Sequence, residues 1–388
     1  MSKWIKAEEY CVSVFDGTHD TPKVTEIGYK LVTSKNILSN MLDLNSAYFI
    51  SEEDFVNINK RSKVEQYDIL FSMIGTVGSL YFETSDTIDY AIKNIGVFSC
   101  GDKEKAEWLY YYLQSSYAQQ YIKRYLNGAV QKFLPLKGLR EFPVPQFNKK
   151  LHNRIKILLN IDKKIQINNQ INQELEAMAK TLYDYWFVQF DFPDQNGKPY
   201  KSSGGKMVYH PELKREIPEG WGVEKLSHFL TIKNGKDHKH LQDGKFAVYG
   251  SGGIMRMVTD YLYSGESILF PRKGTLNNVM YVNKKFWTVD TMFYSEVNKN
   301  NSALYVFYSV KDIDFNKLNT GTGVPSMTSS ILYDLNIIVP EENILEKFNT
   351  IVKQNYETIK LNSIQNQELT QLRDWLLPML MNGQVKVE

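Results

Sequence analysis

Along residues 148–187, apolar or small side chains fall at Leu158, Ile161, Ile165, Leu175, Ala179, Leu182 and Trp186, in alternating steps of three and four. That spacing gathers side chains on one stripe of an α-helix and makes a coiled-coil seam. Asn168 and Asn172 occupy two positions of the same stripe, where a packed helix ordinarily carries Leu or Ile. Adding 194, half of the 388-residue length, moves the stripe onto Val352, Asn355, Ile359, Asn362, Asn366, Leu369, Arg373, Leu376 and Leu380. The asparagine pair recurs in register, and the tetrapeptide NQEL appears at both Asn172 and Asn366. A second helix is therefore predicted from about Glu341 to Pro378, whose ring cannot continue a helix interior.

The segments between the helices repeat more loosely. DILFSMIGT at residues 68–76 and SILFPRKGT at residues 267–275 keep an Ile-Leu-Phe strand followed by a Gly-Thr turn, at an offset of 199. Gly17 and His19 correspond to Gly235 and His238, and residues 127–133 to residues 322–327, each run leading into a Val-Pro step. Insertions concentrate between Asn36 and Gln66, as expected of a surface excursion on a shared scaffold. Residues 191–220 carry four Gly and four Pro, the composition of an exposed linker. Short strand-like runs such as residues 67–73 and 267–271, mixed with helical stretches such as 105–126, give an α+β fold class. The plan is a first globular domain at 1–147, a helix at 148–190, a linker at 191–220, a second globular domain at 221–340, and a second helix with its tail at 341–388.

Two helices of this length each span about 55 Å at 1.5 Å per residue. Packed antiparallel, they form a coiled-coil spacer holding the two domains apart, with Asn168 and Asn172 opposite Asn366 and Asn362 fixing the register. Packing of each helix on its own domain is the other arrangement.

Composition alters this picture little: 43% hydrophobic and 13% aromatic residues suffice for packed cores. The opening residues lack a signal-peptide core, and no apolar run approaches a membrane span, so a soluble, cytoplasmic protein is expected. Cys11 and Cys100 match no metal or redox spacing. A net charge of +2 provides no bulk attraction for nucleic acid, so any such role must rest on local patches.

A two-headed scaffold with diverged loops suits the reading of two short sites at fixed spacing, as DNA presents them. Candidate contacts in the first domain are Thr18, His19, Lys35, Gly75, Thr76, Gln131 and Lys132; in the second they are Lys236, His238, Arg256, Arg272, Lys273, Thr275 and Ser326. Where the first repeat has Met73 and Ile74, the second has Arg272 and Lys273, and Gln131 and Lys132 face Pro325 and Ser326. Such differences imply two unlike half-sites, although drift of solvent-facing residues explains any one of them equally well. Outward helix faces around Ile155, Leu159, Phe187, Leu372 and Trp375 are candidates for partner docking or for closing the local core.

The segments DGTHDTP and GYKLVTSKNI, the run GKPYKSSGGKMVYHPELKREIPEGWGVEKL and the helix end NQELEAMAKTLYDYWF together resemble specificity subunits of type I restriction-modification enzymes. The resemblance spans essentially the whole chain. It implies two target-recognition domains reading a split, asymmetric double-stranded DNA sequence. It further implies helices that dock two methyltransferase subunits, motor-nuclease subunits joining that core, and no active site in this chain. S-adenosylmethionine, ATP and magnesium are then expected only on the partner subunits.

Catalytic motifs of the chain's own are sparse. There is no (N/D)PP(Y/F) tetrapeptide, and YGSGG at residues 249–253 lacks the Lys-Ser or Lys-Thr of a phosphate loop. Pro193-Asp194 with Glu212-Leu213-Lys214 imitates a nuclease pattern but falls in the Gly/Pro-rich joint. Asp237, His238 and His240 could suggest a metal, but no third or fourth ligand cluster is near in sequence. Tyr110, Tyr111 and Tyr112 are read as helix packing rather than base stacking. The competing functional classes are a self-sufficient DNA enzyme and a two-headed protein-interaction scaffold without DNA sequence preference.

Overall fold

The structure, a computed structural model, describes residues 4–38, 41–126, 133–319, 321, 323–381 and 384. The chain divides into two compact units, Met1–Ile167 with Gln365–Glu388, and Asn168–Ile364.

In the first unit, strands Ser13–Asp16, Ile95–Ser99, Ile69–Ser72 and Leu80–Phe82 lie side by side in that order, all antiparallel. A three-stranded sheet continues the theme, with Tyr29–Val32 paired antiparallel to Tyr48–Ile50 and parallel to Tyr90–Ile92. The second unit has one six-stranded sheet, ordered Leu230–Asn234, Met292–Val297, Tyr263–Pro271, Met280–Thr288, Asp243–Gly250 and Gly253–Val258. Its first four strands repeat the four-stranded sheet. The parallel pairing of residues 247–249 with 286–288 repeats that of 30–32 with 90–92.

Single backbone hydrogen bonds establish the correspondence. Gly17 N–H donates to Ile95 O at 2.8 Å, and Gly235 N–H to Met292 O at 2.9 Å. Ala7 N–H donates to Phe142 O at 2.8 Å, and Leu226 N–H to Leu335 O at 2.9 Å. Leu134 N–H reaches Met73 O at 3.0 Å where Met327 N–H reaches Arg272 O at 2.9 Å. The last match shifts the expected alignment by one residue: Phe133, not Lys132, is the counterpart of Ser326, because Ile74 bridges Phe133 as Lys273 bridges Ser326.

The units differ in what connects these strands. Residues 250–252 turn tightly in the second unit, where the first has an excursion over residues 33–47. Helix Glu52–Ser62, capped by Ser51, follows that excursion. The helical stretch expected over 105–126 is two helices, Lys103–Gln114 and Ser116–Leu126.

The first long helix is Lys149–Tyr183, followed by a π-helical turn at Asp184–Val188, and the second is Glu342–Met381. The second helix passes through Pro378 instead of ending there. Pro378 lacks the N–H that would bond the carbonyl four residues back, but Leu376 and Leu380 anchor both sides of it in the first unit's core, and their burial holds this last turn helical. Each unit's core takes part of both helices. Leu376 and Leu380 join Ile155, Leu158 and Ile161 in the first, while Phe348 and Val352 join Ala179, Trp186 and Phe187 in the second. Within the second unit the Asn362 amide donates to Asn172 Oδ1 at 2.9 Å and the Asn355 amide to Leu175 O at 3.3 Å. These two contacts run the helices antiparallel there. Asn168 is fully buried and Asn366 half-buried.

Residues 191–220 are folded, contrary to the exposed linker that their Gly and Pro content predicts. Met207–His210 pairs with Arg215–Pro218, and Phe190, Phe192, Ile217 and Trp221 are buried in the second unit's core. The Phe192 and Trp221 rings stack at 4.8 Å, so aromatic burial outweighs the local turn chemistry.

Candidate nucleic-acid interface

Strand register brings the candidate loops of each unit to one sheet end. Asp16, Gly96 and Phe71 stand in one row of the first unit's sheet. The loop after Asp16, the turn before Ile95 and the turn after Ser72 therefore leave the sheet on the same side. Asn234, Phe293 and Phe270 form the matching row in the second unit, where Tyr249 also pairs with Thr288. Loop 235–239, hairpin tip 250–253, turn 272–275 and turn 289–291 consequently gather at one end.

Glycine makes two of these loops possible. A Cβ at Gly17 would sit 2.4 Å from Ile92 O and one at Gly235 2.0 Å from Val289 O, so both loops press backbone against backbone. Gly75 and Gly274 have φ of +74° and +92°, which glycine adopts without steric cost.

In the first unit the Thr18 N–H donates to Ile92 O at 3.1 Å. His19 contacts Asn94 Oδ1 through Nδ1 at 2.7 Å and the buried Asp16 carboxylate through Nε2 at 3.2 Å. Arg61, absent from the predicted set, also reaches Asp16, at 3.3 Å, and keeps 75% of its side chain exposed. Only the folded excursion and helix bring it there; its sequence position carries no signal. Lys35, Gly75 and Thr76 are exposed, Lys35 on the excursion and the other two in the turn after residue 72. Gln131 and Lys132 lie outside the described residues.

In the second unit Lys236, Arg272, Lys273 and Thr275 are exposed on the gathered loops, with Arg272 5.9 Å from the Phe293 ring. Among the described residues, the Lys236 and Lys273 side chains have no ion-pair partner. His238 and Ser326 are half-buried, and Ser326 N–H donates to Asn319 Oδ1 at 2.8 Å. Arg256 sits farther along its strand, opposite Val248, bonded to Asp243 at 2.7 Å and Leu241 O at 3.1 Å, which occupies its guanidinium locally. A pocket of ≈ 390 Å³ opens among Asp237, His238, Lys239, Ser251, Asp290 and Thr291.

Two of the expected docking residues are not outward. Ile155 (0% exposed) and Phe187 (3%) are core residues, and Leu159 packs against the first unit's core. Helix periodicity alone does not reveal which stripe the domain itself covers. Leu372 and Trp375 are exposed as expected, at 42% and 59%. Tyr110, Tyr111 and Tyr112 are buried, with the Tyr111 hydroxyl donating to Asp162 at 2.5 Å and that of Tyr112 to Pro143 O at 2.7 Å, in keeping with helix packing. Burial raises the Tyr111 and Tyr112 hydroxyl pKa values well above the ordinary range.

Nuclease-like Asp194 instead closes a turn, its Oδ1 accepting from Asn196 and Lys198 N–H at 2.8 Å each. Among the described residues no group of three or more His, Cys, Asp or Glu side chains is arranged to hold a metal, and no helix is long and apolar enough to cross a membrane.

Comparison with known proteins adds an independent line. Residues 22–177 and 218–371 each match the type I restriction modification DNA specificity domain. The chain is 29% identical over 315 residues to the type I restriction enzyme MjaIX specificity subunit of Methanocaldococcus jannaschii, covering 73% of this chain and 70% of that protein. It is 22% identical over 405 residues to the HindI specificity subunit of Haemophilus influenzae, covering 84% and 88%. The crystal structure of a type I restriction-modification S subunit from M. genitalium superposes with a TM-score of 0.52 at 16% identity, covering 98% of this chain and 96% of that one, a likeness of fold.

Proposed function

This chain belongs to the type I restriction-modification DNA specificity family and is a specificity subunit, and from that premise we propose that its two units read the two parts of a split, asymmetric DNA target. The observation that carries the reading is the repeated sheet end, where one backbone framework presents different side chains in the two units. Lys236, Arg272 and Lys273 suit phosphate or guanine contact in the second unit, whereas Met73 and Ile74 occupy the matching turn of the first. The long helices serve as the spacer between the two reading ends. Their exposed apolar residues, Leu372 and Trp375 in the first unit and Met178 and Leu361 in the second, are the docking surface for two methyltransferase subunits. Motor-nuclease subunits join through that complex.

In this reading the chain is non-catalytic and works in the cytoplasm. S-adenosylmethionine, ATP and magnesium act on the partner subunits. The decisive experiment co-expresses the full chain with the methyltransferase subunit of its own system and maps methylated positions by sequencing. A single two-part motif with unlike halves is expected; methylation or binding without sequence preference would turn the assignment toward a protein-interaction scaffold. Replacing Arg272 and Lys273 by Met and Ile is expected to alter only the second half of the motif. Adding a heptad to one long helix is expected to change the spacer while leaving both halves intact.

A further inference from the structure

Positively charged side chains at a DNA interface need little explanation, since the phosphates attract them. Carboxylates do. Asp237 and Asp290 line the ≈ 390 Å³ pocket at the loop end of the second unit, together with Ser251, Thr291 and Met255. Both are exposed, and among the described residues neither has an ion-pair or hydrogen-bond partner for its side chain, although Lys239 lines the same pocket. Four separate segments hold the pocket in place. Gly235 N–H bonds Met292 O at 2.9 Å and Lys236 N–H bonds Thr288 O at 2.9 Å, fixing the first loop against the 289–291 turn. Asn278 donates to Ser251 O at 2.8 Å, tying the hairpin tip to the segment after the Arg272–Lys273 turn. Arg272 and Lys273 N–H both bond Thr291 O, at 2.9 and 3.2 Å, so the pocket and the basic turn share one wall.

The first unit presents the opposite hydrogen-bond character at the same place. Two residues beyond the matched glycines, Asp237 rather than His238 corresponds to His19, and the turn carrying Val289, Asp290 and Thr291 corresponds to the one carrying Lys93 and Asn94. An acidic pair thus stands where the other unit has an imidazole and an ammonium group.

We propose that Asp237 and Asp290 are specificity-determining residues that together accept the one free N–H of the exocyclic amino group of a cytosine or adenine in the second half of the target. This assignment rests on the proposed DNA-reading role of the sheet end. A carboxylate beside the sugar-phosphate backbone is repelled, and the donors that the major groove offers it are cytosine N4 and adenine N6. A guanine or thymine at that position places O6 or O4 against the carboxylates, acceptor against acceptor, and is rejected. Arg272 and Lys273, on the shared wall, supply the compensating phosphate or guanine contacts.

The test uses the full chain co-expressed with its methyltransferase partner, as wild type and as Asp237→Asn, Asp290→Asn and the Asp237→Lys/Asp290→Lys double variant. Methylated motifs are mapped by sequencing, and selectivity is measured on duplexes carrying each base at each position. The expected result is a loss of discrimination at one position of the second half-site, by at least about tenfold, the scale of one good base contact. The Asn variants relax that position, because an amide both donates and accepts; the Lys variant shifts it toward guanine or thymine. Whether the relaxed position was cytosine or adenine in the wild type identifies the amine. An unchanged motif overturns the proposal, as does a uniform loss of affinity on all sequences or a change confined to the first half-site. Failure of the underlying DNA-reading role has a different signature, a wild-type complex with no split motif at all. Unaltered thermal unfolding of the Asn variants separates a reading defect from a folding one.

Discussion

At the seam of the long helices the first unit half-buries a charge cluster where the second packs aromatic rings. In the first, Arg373 bonds Asp162 at 2.9 Å and the Tyr111 hydroxyl closes on the same carboxylate at 2.5 Å. A shift of 194 carries Asp162 to Tyr356, and Arg373 is the counterpart of Ala179; in the second unit Tyr356 meets Tyr308 at 3.2 Å and Ala179 is buried. The strand order and the matched rows of the sheets repeat while this layer does not. A strand pairing needs only its backbone groups, whereas a side-chain layer can be rebuilt in any chemistry that fills the space and satisfies its polar atoms.

The largest effect is expected where that rebuilt layer is broken on one side. Arg373→Ala leaves Asp162 without its cation. The pair retains 15% and 26% side-chain exposure, so a loss of about 3 kcal/mol in the first unit is expected, the lower end for a broken buried pair. Asp162→Tyr combined with Arg373→Ala imports the second unit's layer and should recover most of the loss in urea denaturation. A double variant as unstable as the single one would show that the two layers are not interchangeable.

A second contrast lies at the start of the matched strands, where Asp68 of the first unit stands in the place of Ser267. Both are buried. Burial pushes the Asp68 carboxyl up to about 6 from its usual 3.8, against hydrogen bonds that favour its charged form. The folded unit then binds more protons than the unfolded chain between these two values, so its stability falls as pH rises through that window. Relative to Asp68→Ser, the wild type is expected to lose roughly 2–3 kcal/mol between about pH 4 and pH 7. Denaturant midpoints measured at the two pH values check this; parallel pH profiles would mean that the carboxylate is better solvated than its burial indicates.

Next come the two glycines that press their loops against backbone. Gly235→Ala and Gly17→Ala are each expected to cost about 1–3 kcal/mol by overpacking. The closer approach at Gly235, 2.0 Å against 2.4 Å, makes it the costlier of the two. Mapped methylation should change in the half-site read by the altered unit alone. Equal damage to both halves would contradict independent reading.

The helices and the duplication were legible because a seam of nine positions repeats at one offset, and helix periodicity is a local signal. The sheet partners were not, because the match between residues 30–32 and 247–249 rests on parallel pairing with distant strands and on no shared residue type. A proline is an equally unsafe marker of a helix end: at Pro378 one backbone hydrogen bond is forfeited, and burial of Leu376 and Leu380 on either side outweighs it. The joint misled for the opposite reason. Its glycines and prolines are local turn signals, while Phe192 and Trp221, which fold it onto the core, act only through tertiary packing. Among the candidate contacts, loop position was legible and engagement was not: nothing near Arg256 in sequence announces Asp243 as its partner.

The smallest expected effect concerns the amide pair with which the duplication first becomes visible. Asn362→Ala removes the donor to Asn172 Oδ1, and a loss of about 1 kcal/mol in the second unit is expected, the ordinary scale of one hydrogen bond at a half-buried site. Asn172→Leu with Asn362→Leu should behave in the opposite sense, since two apolar seam residues pack where two amides had to be desolvated. The gain in stability then comes with a loss of register, because leucines tolerate sliding that paired amides forbid. Denaturation resolves the first part. The second is read from methylation mapping, where the double variant is expected to modify targets with more than one spacer length; a single unchanged spacer would assign register to the domains at the helix ends instead of to the asparagines.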